Sequence, residues 1–240
     1  MNLSNKILAY IKITRPINVV ITFCVVVVAI IISQTTQTET ITIILSSIAA
    51  ALTAAAGNII NDIYDIETDK ISHPERVLVL GSISKKAALN EYRLLNLIAI
   101  LISSRVSNLL LLIVLASVLL LFIYSYGLKK LPLIGNIIVA LLTGLAFIYG
   151  GFTSGNPYVA IVPAIFAFLI NLIREIVKDI QDIEGDSKIN LKTFPIKYGV
   201  ETSKRFITII SIILVLFTFY PSVKELYKIE YFIIVMILVN

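Results

Sequence analysis

Residues 58–69 read Asn58-Ile59-Ile60-Asn61-Asp62-Ile63-Tyr64-Asp65-Ile66-Glu67-Thr68-Asp69. Residues 175–186 read Glu175-Ile176-Val177-Lys178-Asp179-Ile180-Gln181-Asp182-Ile183-Glu184-Gly185-Asp186. Both contain the spacing D-x2-D-x3-D, 117 positions apart (179 − 62), and together they hold all six aspartates of the chain. At about 100° per residue, positions 58, 62, 65 and 69 fall within roughly 60° of one helix face, and so do 175, 179, 182 and 186. Each stretch therefore presents a column of carboxylates. Beside apolar helices such a column is costly unless a cation occupies it. Hard oxygen ligands suit Mg²⁺, which takes one or two carboxylates together with a substrate phosphate.

The sequence around the columns is that of a membrane protein. Of 240 residues, 58% are hydrophobic, and apolar runs near twenty residues recur, each long enough to cross a bilayer core of about 30 Å. The expected fold is an all-α polytopic transmembrane bundle of about eight apolar spans, forming one domain over residues 1–240. Seven runs are 17–33, 41–60, 87–103, 107–123, 133–151, 158–177 and 206–220. The second and the sixth deliver the two acidic columns to their ends. Residues 1–15 form an interfacial lead, 67–84 a long loop, and 183–203 a polar loop. A last apolar run, 231–240, rises only about 15 Å as helix, half a membrane, so either the chain is truncated or its end is not a full span. The single Cys24 excludes an intramolecular disulfide and suits apolar packing. The single His73 is expected as a loop residue, and no nucleophile–histidine constellation or glycine-rich phosphate loop is present.

Positive charge sets the orientation. If the amino terminus and the loops after spans two, four and six share one side, 17 of the 20 Lys and Arg lie there. The positive-inside bias makes that side cytoplasmic, and both acidic columns emerge on it. The expected location is thus a cell membrane, crossed several times, with the site facing the cytoplasm. Two pseudo-repeats, about 14–125 and 130–240, underlie the order. Pro16 precedes Asp62 by 46 residues and Pro132 precedes Asp179 by 47, and Gly81-x2-Ser84-x-Lys86 recurs as Gly199-x2-Thr202-x-Lys204. Parallel repeats place a functional site where they meet.

The chemistry expected there is a diphosphate held by divalent metal. Asn58, Asp62, Asp65, Asp69, Asp179, Asp182 and Asp186 are the candidate metal ligands, and the six aspartates the candidate catalytic residues. Arg15, Asn18, Asn58, Asn61, Arg76, Tyr126, Lys129, Lys130, Arg174 and Lys178 are candidates for binding substrate. Each cation among them serves equally as a topology marker. An apolar bundle below a metal-held diphosphate points to a lipidic diphosphate, whose allylic carbon would lose pyrophosphate in a dry pocket.

Asn58-x3-Asp62-x2-Asp65-x3-Asp69 and Lys178-Asp179-x2-Asp182-x3-Asp186 resemble the two signature motifs of the UbiA superfamily of intramembrane prenyltransferases. Arg15-Pro16-x-Asn18, the Tyr/Lys pair near 124–130, and Gly135-Asn136 are further matches, over about 14–204. The stretch 174–186 is most similar to the archaeal branch that joins a second geranylgeranyl chain to geranylgeranylglyceryl phosphate. The resemblance implies a bundle of usually nine spans, Mg²⁺ as cofactor, and geranylgeranyl diphosphate and a lipid acceptor as partners among membrane lipids. No nucleic acid is implied, and protein partners are not legible. After the first motif the family usually has R-P-x-R-P, where this chain has His73-Pro74-Glu75-Arg76-Val77. An aromatic acceptor on the way to a quinone, haem or chlorophyll is the alternative within the superfamily. A divalent-cation transporter, or a lipid-binding scaffold without activity, is the alternative outside it.

Overall fold

The structure is a computed structural model, and it describes residues 3–35, 37–188, 191–224, 226–227 and 233. The chain runs α1 (Leu3–Ile13), α2 (Pro16–Ser33), α3 (Thr40–Ser72), α4 (Lys85–Val106) and α5 (Asn108–Tyr126). A 3₁₀ turn (Leu128–Lys130) leads to α6 (Ile134–Thr153), α7 (Pro157–Gln181), α8 (Ile183–Lys188), α9 (Phe194–Tyr198) and α10 (Val200–Val223). No strand occurs among the described residues. Local chemistry sets the boundaries. Pro16 and Pro157 sit in the first turn of α2 and α7, where a missing N–H costs nothing. The Ser84 hydroxyl accepts from the Ala87 amide at 3.1 Å to cap α4, and Ser107 caps α5 through the Leu109 amide at 3.2 Å.

Six of these helices, α2, α3, α5, α6, α7 and α10, are long and apolar enough to cross a membrane, so the chain is a multi-pass membrane protein. The expected third span corresponds to α4. Lys85, Lys86, Glu91 and Arg93 in its first half keep it out of the apolar set. The run 231–240 lies outside the described residues, save position 233. The expected lead at the amino terminus is the helix α1, whose Ala9 and Ile13 are buried against Ile59, Ile60 and Ile63 of α3.

Helix α3 is the centre of the bundle. It lies against α2, α4 and α5, and over half of its most apolar stretch is buried. Its Ala- and Ser-rich middle, including Ser46, Ser47, Ala49, Ala55 and Ala56, allows close approach. On the other side α6 packs extensively on α7 and on α2. A Cβ at Gly150 would come 2.5 Å from the Ala29 Cβ, and one at Gly144 would come 2.8 Å from the Ala164 carbonyl oxygen. These glycines therefore let backbones touch. The outward faces of α2, α5 and α10 are apolar and exposed, as Ile17, Leu112 and Leu216 illustrate, which suits contact with lipid.

Two boundaries differ from the sequence expectation. Residues 67–72, expected in a loop, continue α3, so all of the first column stands on one unbroken helix. The second column does not. Its helix ends at Gln181, Asp182 takes φ −92°, ψ 3°, and Asp186 belongs to α8. The Asp186 amide still donates to the Asp182 carbonyl at 2.9 Å, so the interruption is one residue wide. Gly185, a poor helix former, follows directly in the weakened stretch.

Candidate active site

Three separate segments bring cations onto the first column. The turn between α1 and α2 places Arg15 in the left-handed region, φ 54°. Its Nη2 meets Asp62 Oδ1 at 2.5 Å. The Asn58 amide nitrogen donates to the Thr14 carbonyl at 2.8 Å and fastens the same turn to α3. From the loop after α3, Arg76 Nη1 meets Asp69 Oδ2 at 2.6 Å and Asp62 Oδ1 at 3.3 Å. From the 3₁₀ turn, Lys129 Nζ meets Asp65 Oδ1 at 2.5 Å and the Asn61 Oδ1 at 3.2 Å. Asn61 donates to the other Asp65 oxygen at 2.8 Å. Asp62 and Asp69 are nearly buried, with side chains 7% and 4% exposed. Burial pulls the Lys129 ammonium below the usual lysine range, and the Asp65 carboxylate opposes that. Every carboxylate of the first column is thus paired with a cation.

The second column is arranged otherwise. Asp179 Oδ2 accepts from the Asn136 amide at 2.8 Å, and Asn136 is itself buried at the start of α6. Asp182 and Asp186 have no side-chain hydrogen bond or ion pair among the described residues. Burial, with the Asp182 carboxylate next, pushes Asp186 up to about 6, while Lys178 opposes the shift. A cavity of about 80 Å³ lies at this point. Its walls include Asp179, Glu175 and Lys178 from α7, Asn136 and Gly135 from α6, Tyr124 from α5, and Thr193 before α9. Lys129 completes the wall while paired with Asp65 of the first column. A Cβ at Gly135 would approach the Lys129 Cα to 3.0 Å, so a larger residue here has to push the Lys129 backbone aside. The buried Thr193 hydroxyl has no partner among the described residues.

The structure brings Arg15, Asn58, Asn61, Arg76, Lys129, Lys178 and the columns into this region. Arg174 is exposed and holds Glu175 at 3.2 Å, and Lys130 is exposed beside Lys129. Two other expected binding residues, Asn18 and Tyr126, make no hydrogen bond with the columns among the described residues. The Asn18 side chain is exposed near the start of α2. The Tyr126 ring is 67% exposed and stacks on Phe122 and against Tyr64, because two residues along α5 turn the ring about 200° from Tyr124. His73 is a loop residue beside Glu75, as expected. Cys24 is exposed rather than packed, on an apolar groove of about 290 Å³ with Val20, Val28 and Phe147. Tyr124, Asn136, Glu175 and Thr193 were not among the expected site residues. Asn136 had a signal, since it follows Asn18 by 118 positions (136 − 18), the same offset as the repeated glycine motif (199 − 81).

Oxygen donors without thiolate or imidazole suit a hard divalent cation. Among the described residues no three acidic side chains converge on one point. A column spanning eight residues extends about 10 Å along the helix axis, so neighbouring pairs, completed by ligand oxygens, are the units that fit an ion.

The family model for the UbiA prenyltransferase family matches residues 20–240. The digeranylgeranylglyceryl phosphate synthase of Methanosphaera stadtmanae is 38% identical over 228 residues, covering 95% of this chain and 83% of that protein. The enzyme of the same name from Pyrococcus abyssi is 41% identical over 170 residues, covering 71% of this chain and 61% of that protein. A solved structure of a digeranylgeranylglyceryl phosphate synthase superposes with a TM-score of 0.80 at 31% identity, covering 97% of this chain and 83% of that one. A UbiA homolog from Archaeoglobus fulgidus, bound to DMAPP and Mg²⁺, shares the fold with a TM-score of 0.75 at 20% identity, covering 94% and 81%.

Proposed function

This chain belongs to the UbiA prenyltransferase family, and from that premise we propose that it transfers a geranylgeranyl group from geranylgeranyl diphosphate to geranylgeranylglyceryl phosphate in archaeal ether-lipid synthesis. Relatives of that name support the acceptor assignment. The observation that carries the reading in this chain is Lys129, which pairs with Asp65 of one column and walls the cavity containing Asp179 of the other. One diphosphate at that point is in reach of both.

Asp62, Asp65 and Asp69, with the Asn58 oxygen, and Asp179, Asp182 and Asp186 would hold Mg²⁺. Bound there, the metal offsets charge on the departing pyrophosphate. Arg15, Arg76, Lys129 and Lys178 bind and orient phosphate oxygens, the arginines as bidentate forks. The bond between the first prenyl carbon and the diphosphate oxygen breaks, and its electron pair leaves with pyrophosphate. The acceptor hydroxyl oxygen forms the new bond to that carbon, and its proton passes to the pyrophosphate. The acidity of the hydroxyl rises as the bond forms, so a strong base is not required. The apolar walls below the columns keep water from the allylic carbon. The site faces the cytoplasm, supported by the distribution of Lys and Arg. Two parallel pseudo-repeats are supported by the residues that open α2 and α6, Arg15 and Leu133, which are the two non-glycine residues with positive φ among those described.

The test is pyrophosphate release in detergent with Mg²⁺ and geranylgeranyl diphosphate, offering the glycerol-phosphate lipid and aromatic acids in turn. Transfer to the lipid is expected. Transfer only to a hydroxybenzoate or naphthoate would overturn the acceptor while keeping the family.

A further inference from the structure

The two columns differ in who neutralises them, and that difference has a consequence for the order of binding. The three carboxylates of the first column face the cations Arg15, Arg76 and Lys129 at 2.5 to 2.6 Å, so this cluster is close to neutral by itself. The second column carries Glu175, Asp179, Asp182 and Asp186. Of these, Glu175 alone is ion-paired among the described residues, to the exposed Arg174, and Lys178 stands nearby without a contact. We propose that the second column takes a divalent cation unaided, whereas the first takes one only together with a diphosphate, whose oxygens receive Arg15, Arg76 and Lys129 as they leave the aspartates. The proposal rests on the reading of the site as a metal–diphosphate centre.

The physical reason is charge balance in a half-buried place. A dication arriving alone at the first column would have to displace guanidinium and ammonium groups whose acidic partners are these same three aspartates. Stranding a cation away from water is expensive. A diphosphate monoester brings about three negative charges near neutral pH, and its oxygens suit arginine forks and an ammonium equally. The cations then exchange one set of oxygens for another without being stripped. At the second column an arriving dication meets unpaired carboxylates and displaces nothing. Coupling of this kind is reciprocal, so metal at the first column tightens diphosphate by the same factor as diphosphate tightens that metal.

Mn²⁺ binding, followed by the electron paramagnetic resonance of the free ion, tests the order on the full chain in detergent, with inorganic pyrophosphate as the second ligand. About one Mn²⁺ per chain is expected without pyrophosphate and about two with it, for a hard cation of this coordination type. Asp182→Asn should remove the ion that binds unaided, and Asp65→Asn should leave it in place. Lys129→Gln combined with Arg76→Gln should gain a second ion without pyrophosphate, a gain that misfolding does not produce. The retained ion of the second column reports that this variant is folded. Two ions on the unaltered protein without pyrophosphate, or none, would overturn the order, as would no gain in the double variant. The order would survive if the metal pattern held while prenyl transfer failed, and in that case the functional reading alone would fall.

Discussion

Replacing Asn136 by alanine isolates one hydrogen bond at the site. Its amide donates to Asp179 Oδ2 at 2.8 Å from a side chain that is 7% exposed. Water therefore has little access to replace it. A hydrogen bond to a charged group contributes about 1.5–3 kcal/mol, and an outer partner of a metal ligand typically changes metal affinity by about 10–100-fold. Both figures agree, because about 1.4 kcal/mol is tenfold at room temperature. Asn136→Ala should thus raise the Mg²⁺ concentration for half-maximal turnover by about 10- to 100-fold, with kcat at saturating Mg²⁺ changed by less than about threefold. The assay is pyrophosphate release across a Mg²⁺ series, with gel filtration in detergent as the check on folding. Asn136→Asp should be worse than alanine, since it sets a second carboxylate against Asp179. An unchanged Mg²⁺ dependence accompanied by a lower kcat would refute the argument, because it would place Asn136 on the substrate rather than on the ligand.

Other outcomes follow from the same geometry. Asp65→Ala or Asp182→Ala should abolish turnover while the protein still inserts and elutes normally, and near-normal activity at saturating Mg²⁺ would remove the metal role. Arg174→Ala should raise the KM for geranylgeranylglyceryl phosphate more than that for geranylgeranyl diphosphate, because the exposed Arg174, paired with Glu175 at 3.2 Å, can exchange that partner for the acceptor's own phosphate; equal shifts would count against this. Gly135→Ala should lower kcat/KM by displacing the Lys129 backbone, which a Cβ would approach to 3.0 Å, while thermal stability changes little; intact kinetics would show that Lys129 tolerates the shift. Gly150→Ala should act in the opposite way, costing about 1–3 kcal/mol by overpacking α2 against α6, and a melting temperature equal to that of the unaltered protein would contradict it.

Much of the architecture was legible because two periodicities reinforce one another. Hydrophobic runs marked six helices that the structure finds apolar enough to span, and the aspartate spacing marked the helix face that carries the site. What escaped the sequence depends on contacts between distant segments. Spacing describes a column but not its counterions, so the pairing of Arg15, Arg76 and Lys129 with three different aspartates was invisible until the segments were assembled. Asn136 is a neutral residue inside an apolar helix start, and only the repeat offset and the Gly135-Asn136 resemblance distinguish it from a packing residue. Tyr124 and Tyr126 flank the same lysines, and the rotation along α5 that places Tyr124 on the cavity wall and Tyr126 outside it is not marked by residue type. The helix break at Asp182 was hidden because D-x2-D-x3-D keeps its spacing whether or not the helix is continuous.

Helix α3 is 33 residues long without interruption, or about 50 Å, against a hydrocarbon thickness of about 30 Å. The same rigid rod therefore spans the bilayer and carries the first acidic column well beyond it. The rod fixes the depth and the azimuth of the column together. One residue inserted between Thr40 and Asn58 would advance the aspartates by about 1.5 Å and swing them by about 100°, taking Asp62 away from Arg15 and Asp65 away from Lys129. An insertion of equal size at Asp182, where the second helix already gives way, can be absorbed locally. The two motifs match in spacing, yet a change in chain length is expected to disrupt the first more than the second.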